Sequence, residues 1–211
     1  MNKFLLDFDG VIFKNTYVQD YVTKMSVDYI KTRSNITLNE AISINRKAYK
    51  KYGHTSLLYG DKSTLTHAYN YHVFSKNKKD LVTLISKAVN RKNKSHLRKM
   101  LELKRSPNHE YVLCINTPKW YCEIVLNNLG SSCEELFGDN ISFTSDTGLL
   151  KPSSKYFDLI EDQLKDNHFV FLDDSILNIQ NIQYRPNWTG LIIENEKDVL
   201  DILSVQVRLN Q

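Results

Sequence analysis

The sequence predicts an α/β protein, a doubly wound, Rossmann-like parallel sheet with a helical cap inserted after its first strand. Three observations predict it. Short apolar runs recur with turn chemistry behind each, helical segments separate the later runs, and about a hundred residues after the first run carry helical periodicity with no convincing strand. Runs that are hydrophobic on both faces suit a sheet covered on both sides. Strands that alternate with helices read as right-handed βαβ crossovers.

The first strand is KFLLD (3–7). The insertion follows, and its clearest helix is NITLNEAISINRKAYKKYG (35–53), with Thr37 as N-cap, Glu40 at capping-box spacing and Gly53 as terminator. The locally basic stretch SKAVNRKNKSHLRK (86–99) reads most simply as a solvated helix face and connection. The core resumes with the strand YVLCIN (111–116) and the helix KWYCEIVLNNLG (119–130), which ends at a glycine suited to a C-cap. NISF (140–143) is the next strand, followed by the helix SSKYFDLIEDQLK (153–165) after a Pro-Ser start. HFVFLD (168–173) and TGLII (189–193) complete the sheet, and EKDVLDILSVQVRL (196–209) forms a closing amphipathic helix. The expected division is a core of residues 1–13 and 99–211 and a cap of residues 14–98.

Bulk properties narrow the class of function. A chain of 211 residues can bury roughly 70% of its unfolded surface. Its 41% hydrophobic and 25% charged residues are ordinary globular values. The net charge of +4 mildly favours anionic ligands but does not diagnose nucleic-acid binding. The three cysteines, Cys114, Cys122 and Cys133, lack C-x-x-C spacing and suit reduced thiols. With no long apolar segment at the N-terminus and no run near ~18 apolar residues, the expectation is a cytoplasmic protein with no membrane partner. The histidines show no zinc spacing, and neither phosphate-binding glycine motif occurs. A zinc hydrolase, a P-loop nucleotide triphosphatase and a dinucleotide enzyme are thereby disfavoured.

Ligands of open α/β sheets bind beyond the carboxyl ends of the strands. There the first strand delivers Asp7 and Asp9, the second Asn116 and Thr117, and the fourth Asp173 and Asp174, while the loop before residue 153 adds Lys151. This set suits phosphoryl transfer through a carboxylate nucleophile. Asp7 would attack phosphorus and form an aspartyl-phosphate. A carboxylate is repelled by a phosphate dianion, so a divalent cation, Mg²⁺, would bridge Asp7, Asp9, Asp173 and Asp174 to the substrate. Asp9 would act as general acid and then base, and Lys151 would neutralise charge on the phosphoryl oxygens.

Blander readings stand beside these. An EF-hand reading of DFDG fails, because its fifth and twelfth positions are Val11 and Val18. Asp173-Asp174 would also serve as a helix N-cap, and Lys151 as a surface lysine. His54, just past Gly53, either points at the site from the insertion or is a polar loop residue. Tyr49, Tyr52, Tyr69 and Tyr71 either stack on a base or pack the cap.

With these residues in hand, the chain resembles the haloacid dehalogenase-like phosphatases. LLDFDGV is similar to their first motif, GLLKPSSKYF to their third and FVFLDDSILN to their fourth. LNEAISINRKAYKKYGHTSLLYG (38–60) and INTPKWYCEIVLNNLG (115–130) resemble the pyrimidine 5′-nucleotidase group within them. The resemblance implies a magnesium-dependent phosphomonoester hydrolase, with nucleoside monophosphates as the leading substrate class. One departure stands out. The family places Ser or Thr before the second-motif Asn to bind phosphate, and here that position is Ile115, with Thr117 following Asn116. Either Thr117 serves in a displaced register or the phosphate relies on the Asn116 backbone N–H. The alternatives are a phosphatase of nucleic-acid ends or of another small phosphometabolite, or a catalytically weakened binding protein.

Overall fold

The computed structural model describes residues 2–105, 109–138, 142–165 and 168–209. Strands β1 (Asn2–Leu6), β2 (His109–Leu113), β3 (Phe169–Asp173) and β4 (Trp188–Ile192) form one parallel sheet in the order β2-β1-β3-β4. Leu6 pairs with Leu113 on one side and Leu172 on the other, so β1, β2 and β3 end at the same height. Of the strand expected at 140–143, Phe143 makes a parallel bridge to Cys114 at the free edge of β2, and residues 140 and 141 lie outside the described ones.

The apolar runs are continuous because both faces of the sheet are covered. Phe4, Leu6, Tyr111, Leu113, Val170 and Leu172 point into one core, and Leu5, Val112, Phe169 and Phe171 into the other. This is the two-residue alternation of a strand, with both sets buried. Burying each Leu or Phe contributes about 1.5–3 kcal/mol.

Between β1 and β2 the described residues are helical. They comprise α1 (Thr16–Ser34), α2 (Leu38–Tyr52), a 3₁₀ turn (Thr55–Tyr59), α3 (Ser63–Asn70), a π turn (Tyr71–Ser75), α4 (Lys78–Ala88) and α5 (Arg91–Lys104). The start of α2 carries the anticipated capping box, with Thr37 Oγ1 accepting from Glu40 N and Glu40 Oε2 from Thr37 N. Its end is the left-handed Gly53, whose N–H donates to Tyr49 O. The basic α5 exposes Arg91, Lys92, Lys94, Arg98 and Lys99 while Leu97 and Met100 enter the core. It packs on β2 and the closing helix α10 (Glu196–Leu209). In the second half come α6 (Lys119–Leu129), stopped at Gly130, α7 (Cys133–Phe137), α8 (Ser154–Leu164) and α9 (Ile176–Ile182). Among the described residues no helix is long and apolar enough to cross a membrane.

The helical segment is fastened over the strand ends. Asn15 caps α1 through its Oδ1, while its Nδ2 donates to Ala88 O at 3.1 Å, tying the outgoing chain to the end of α4. Asn70 Nδ2 donates to Ser145 Oγ at 2.7 Å, and Ser153 Oγ meets Asp61 Oδ2 at 3.1 Å. These contacts roof a cavity of about 350 Å³.

Candidate active site

The site grows from the end of β1. Asp7 N donates to Leu172 O at 2.9 Å, the last ladder bond before the chain turns away from the sheet. The turn is held by Gly10 N to Phe13 O and Ile12 N to Phe8 O, both at 2.9 Å, and by the burial of Phe8, Val11, Ile12 and Phe13. Gly10 has φ +89°, and a Cβ there would lie 2.0 Å from Asp174 Oδ2. Only glycine lets the first acidic loop approach the second so closely.

Lys151 sits at the centre with 1% exposure. Its Nζ donates to Asp173 Oδ2 at 2.6 Å, to Cys114 O at 2.8 Å and to Asp7 Oδ1 at 2.9 Å. All three of its protons therefore go to protein acceptors, and in this geometry its task is to hold Asp7. Burial acts to strip the ammonium of its charge, but Asp173 and Asp7 outweigh that and raise its pKa. Asp173 is fully buried and saturated, accepting also from Ser175 N at 2.8 Å and from Asn178 Nδ2. The helix-capping reading of Asp173 is not what the structure shows: the N-cap of the helix at Ile176–Ile182 is Ser175, and the backbone N–H from which Asp173 accepts is that residue's own.

Asp7 Oδ1 accepts from Lys151 and from Phe8 N at 2.8 Å, whereas Asp7 Oδ2 has no donor among the described residues. The carboxyl is pushed well above its usual range, by burial first, against the pull of Lys151, and further by Asp173 and Asp174. Asp9 Oδ1 accepts from Tyr121 Oη at 2.8 Å, and burial lifts this carboxyl to about 6. Asp174 opens onto the cavity and finds no side-chain donor among the described residues. Partial desolvation, followed by repulsion from Asp173, raises it to about 6.

The structure brings the sequence-derived candidates together. Asp7, Asp9, Lys151 and Asp174 line the cavity with Asn116, Thr117 and His54, and Asp173 lies behind it. Ligand atoms of Asp7, Asp173 and Asp174 lie within 4.8 Å of one another, a group to which Asp9 does not belong. Among the described lining residues Lys151 is the one permanent cation facing these acids. The cluster is short of positive charge, and an unpaired Asp174 beside an unpaired Asp7 Oδ2 suits a hard divalent cation with oxygen ligands.

Residues 115–117 divide their contacts differently from what the resemblance implies. Ile115 is buried in the core, and its N–H donates to Phe143 O. The Asn116 side chain is taken up by the Lys151 backbone, accepting from its N–H at 2.8 Å and donating to its C=O at 2.9 Å. Thr117 Oγ1 is buried, lines the cavity and has no close partner among the described residues beyond a weak contact with the Cys122 thiol. Residues that the sequence reading passed over are Tyr121, which holds Asp9, and Asn178, which holds Asp173. Their only sequence signal is helical placement after a strand end, which many tyrosines and asparagines share.

His54 lines the cavity with 7% exposure. Its Nδ1 accepts from Ser56 N at 3.2 Å and contacts Ser56 Oγ at 2.8 Å, and its ring meets Tyr69 edge-on at 4.7 Å. Burial lowers its pKa from 6.5 to about 4, so the ring is neutral near pH 7. Between those two pH values the unfolded chain binds the extra proton and the folded one does not. Stability from this residue is complete above about pH 6.5 and falls by on the order of 3 kcal/mol towards pH 4. His54→Asn, whose amide oxygen can take the same Ser56 N–H, is expected to flatten that fall in urea melts. Equal pH slopes in the two proteins would contradict it.

The parallel sheet and the helices around it form a fold similar to that of haloacid dehalogenase-like proteins of known structure. Among solved structures, a HAD phosphatase from Thermococcus onnurineus is similar over 96% of this chain and 98% of its own, with 16% identity and a TM-score of 0.54. A haloacid dehalogenase-like hydrolase from Burkholderia xenovorans matches over 90% of this chain and 80% of its own, with 13% identity and a TM-score of 0.44. One from Xanthomonas campestris matches over 100% and 95%, with 12% identity and a TM-score of 0.46. No family model matches the sequence, and no curated protein does. The fold assignment rests on the first of these structures and on the sheet itself.

Proposed function

We propose that this chain is a magnesium-dependent phosphomonoester hydrolase, acting on nucleoside monophosphates through an aspartyl-phosphate on Asp7. The observation that carries the reading is the state of Asp7. One carboxylate oxygen is clamped by Lys151 and the Phe8 N–H, and the other faces the cavity with no donor. An oriented but unpaired oxygen at the bottom of a roofed cavity is what a nucleophile requires.

Asp7 Oδ2 attacks phosphorus as the bond from phosphorus to the ester oxygen breaks, and Asp9 gives the departing oxygen its proton. Asp9 then takes a proton from water, whose oxygen attacks phosphorus and releases Asp7 and inorganic phosphate. The Thr117 hydroxyl, held only weakly by the Cys122 thiol, donates to a phosphoryl oxygen, the displaced-register alternative for the second motif. Asp7 and Asp174, with Asp173 behind them, would hold Mg²⁺, which supplies charge neutralisation between carboxylate and phosphate. The helices over the strand ends serve as a cap that excludes bulk water. The nucleotide preference is supported by the size of the cavity and by the aromatic rings of Tyr69, Phe74 and Tyr121 along it.

The test is phosphate release from a panel of nucleoside monophosphates and small phosphomonoesters. Release is expected with Mg²⁺, with loss of at least about 10²-fold after chelation and recovery on adding the ion back. No release from any member of the panel would refute the assignment, and release that survives complete chelation would remove the metal from it.

A further inference from the structure

The inward face of α2 carries one residue that does not belong in an apolar stripe. Ala41, Asn45 and Ala48 are its buried residues, and Asn45 is 7% exposed. Burying an amide without partners is costly, so each of its hydrogen-bonding groups calls for a destination. Asn45 Oδ1 accepts from Thr55 Oγ1 at 2.8 Å. Asn45 Nδ2 has no acceptor among the described residues, and the side chain lines the cavity that holds Asp7.

The neighbouring polar groups show why this matters. Ser26 Oγ donates to Val22 O at 2.8 Å, and a backbone carbonyl can only accept. The 2.6 Å contact between Ser26 Oγ and Tyr69 Oη must then be donated by Tyr69. Thr55 has placed its proton on Asn45. Ser26, Tyr69 and Thr55 all line the cavity, yet none has a proton left to offer it. In this cluster Asn45 Nδ2 is left without an acceptor among the described residues, while Thr55 holds the other end of the amide.

We infer that Asn45 is the specificity-determining residue of the cavity, donating to an acceptor on an uncharged leaving group, a carbonyl oxygen or an unprotonated ring nitrogen. This deepens the proposed phosphomonoesterase reading and rests on it. The wall formed by Ser26, Asn45, Thr55 and Tyr69 carries no formal charge, so a leaving group with a second phosphate gains nothing from it. For a nucleoside monophosphate the acceptor is on the base rather than on the sugar, whose hydroxyls can donate as readily as accept.

A nucleoside 5′-monophosphate and ribose 5-phosphate share the same departing 5′-oxygen and differ in the base. The test is therefore the ratio of kcat/KM for the best nucleoside monophosphate to that for ribose 5-phosphate, in the parent, in Asn45→Leu and in Asn45→Asp. Asn45→Asp keeps the acceptor for Thr55 and removes both donors. The ratio is expected to fall about tenfold to a hundredfold in both variants, because the base loses a buried hydrogen bond. Thr55→Val, which frees the amide to turn, is expected to lower it as well and stands in should the Asn45 variants fail to fold. Ratios within twofold of the parent in folded variants, with hydrolysis still dependent on Asp7, would overturn the inference while leaving the hydrolase reading intact. Absence of Asp7-dependent phosphate release from both substrates in the parent would remove both together.

Discussion

Exchanging Asp7 for Asn is expected to lower phosphomonoester turnover by at least about 10⁴-fold while stability changes by no more than about 1 kcal/mol. The loss is large because the amide is a poor nucleophile and Asp174, another carboxylate open to the cavity, is committed to the metal in the proposed site. Asp173 is saturated by Lys151, Ser175 and Asn178, and Asp9 is tied to Tyr121. Stability is spared because the substitution removes one of several crowded like charges. Burial and repulsion from Asp173 and Asp174 already push the Asp7 carboxyl upwards. Lys151 keeps Asp173 and the Cys114 carbonyl. Steady-state turnover and a urea melt read the two effects separately. Turnover within tenfold of the parent would mean that phosphorus is attacked by some other group.

Lys151→Met has the opposite profile, with the fold itself giving way. Its ammonium is buried between two carboxylates, and removing one partner of a buried pair leaves the others uncompensated, at about 3–5 kcal/mol. For a chain of this length that corresponds to roughly 6–20 °C in Tm. Adding Asp173→Asn to Lys151→Met removes the stranded charge and is expected to recover most of the stability. Activity is not expected to return, since nothing then orients Asp7. A thermal melt of the four members of this cycle measures the coupling. If the single and double variants melt together, the lysine does not balance Asp173.

Several features of the fold could be read directly because their causes are local. The capping box at Thr37 and Glu40, the helix stops at Gly53 and Gly130 and the runs of β1, β3 and β4 depend on residues a few positions apart. The strand at 140–143 was harder, since its short run pairs beyond β2 only through Phe143 among the described residues. Within the site, Asp7, Asp9, Asp173 and Asp174 were visible because carboxylates at the ends of apolar strands are out of place unless something holds them. Lys151 was visible only as a candidate, since its burial and three acceptors come from β1, β3 and the segment after β2.

By itself the sequence determined the order of the elements, the doubly wound class and the acidic residues that the strand ends present. Periodicity and end signals act over a few residues and survive without knowledge of what packs where. Tertiary structure alone decided that the Asn116 side chain braces Lys151, that Thr117 Oγ1 is buried on the cavity wall and that Asn45 Nδ2 has no acceptor among the described residues. The reason is physical. A hydrogen-bonding group is available to a ligand only after every neighbour has made its own bonds. In this cavity those neighbours come from different elements of the chain, 35 residues apart for Asn116 and Lys151 and 112 for Asp9 and Tyr121.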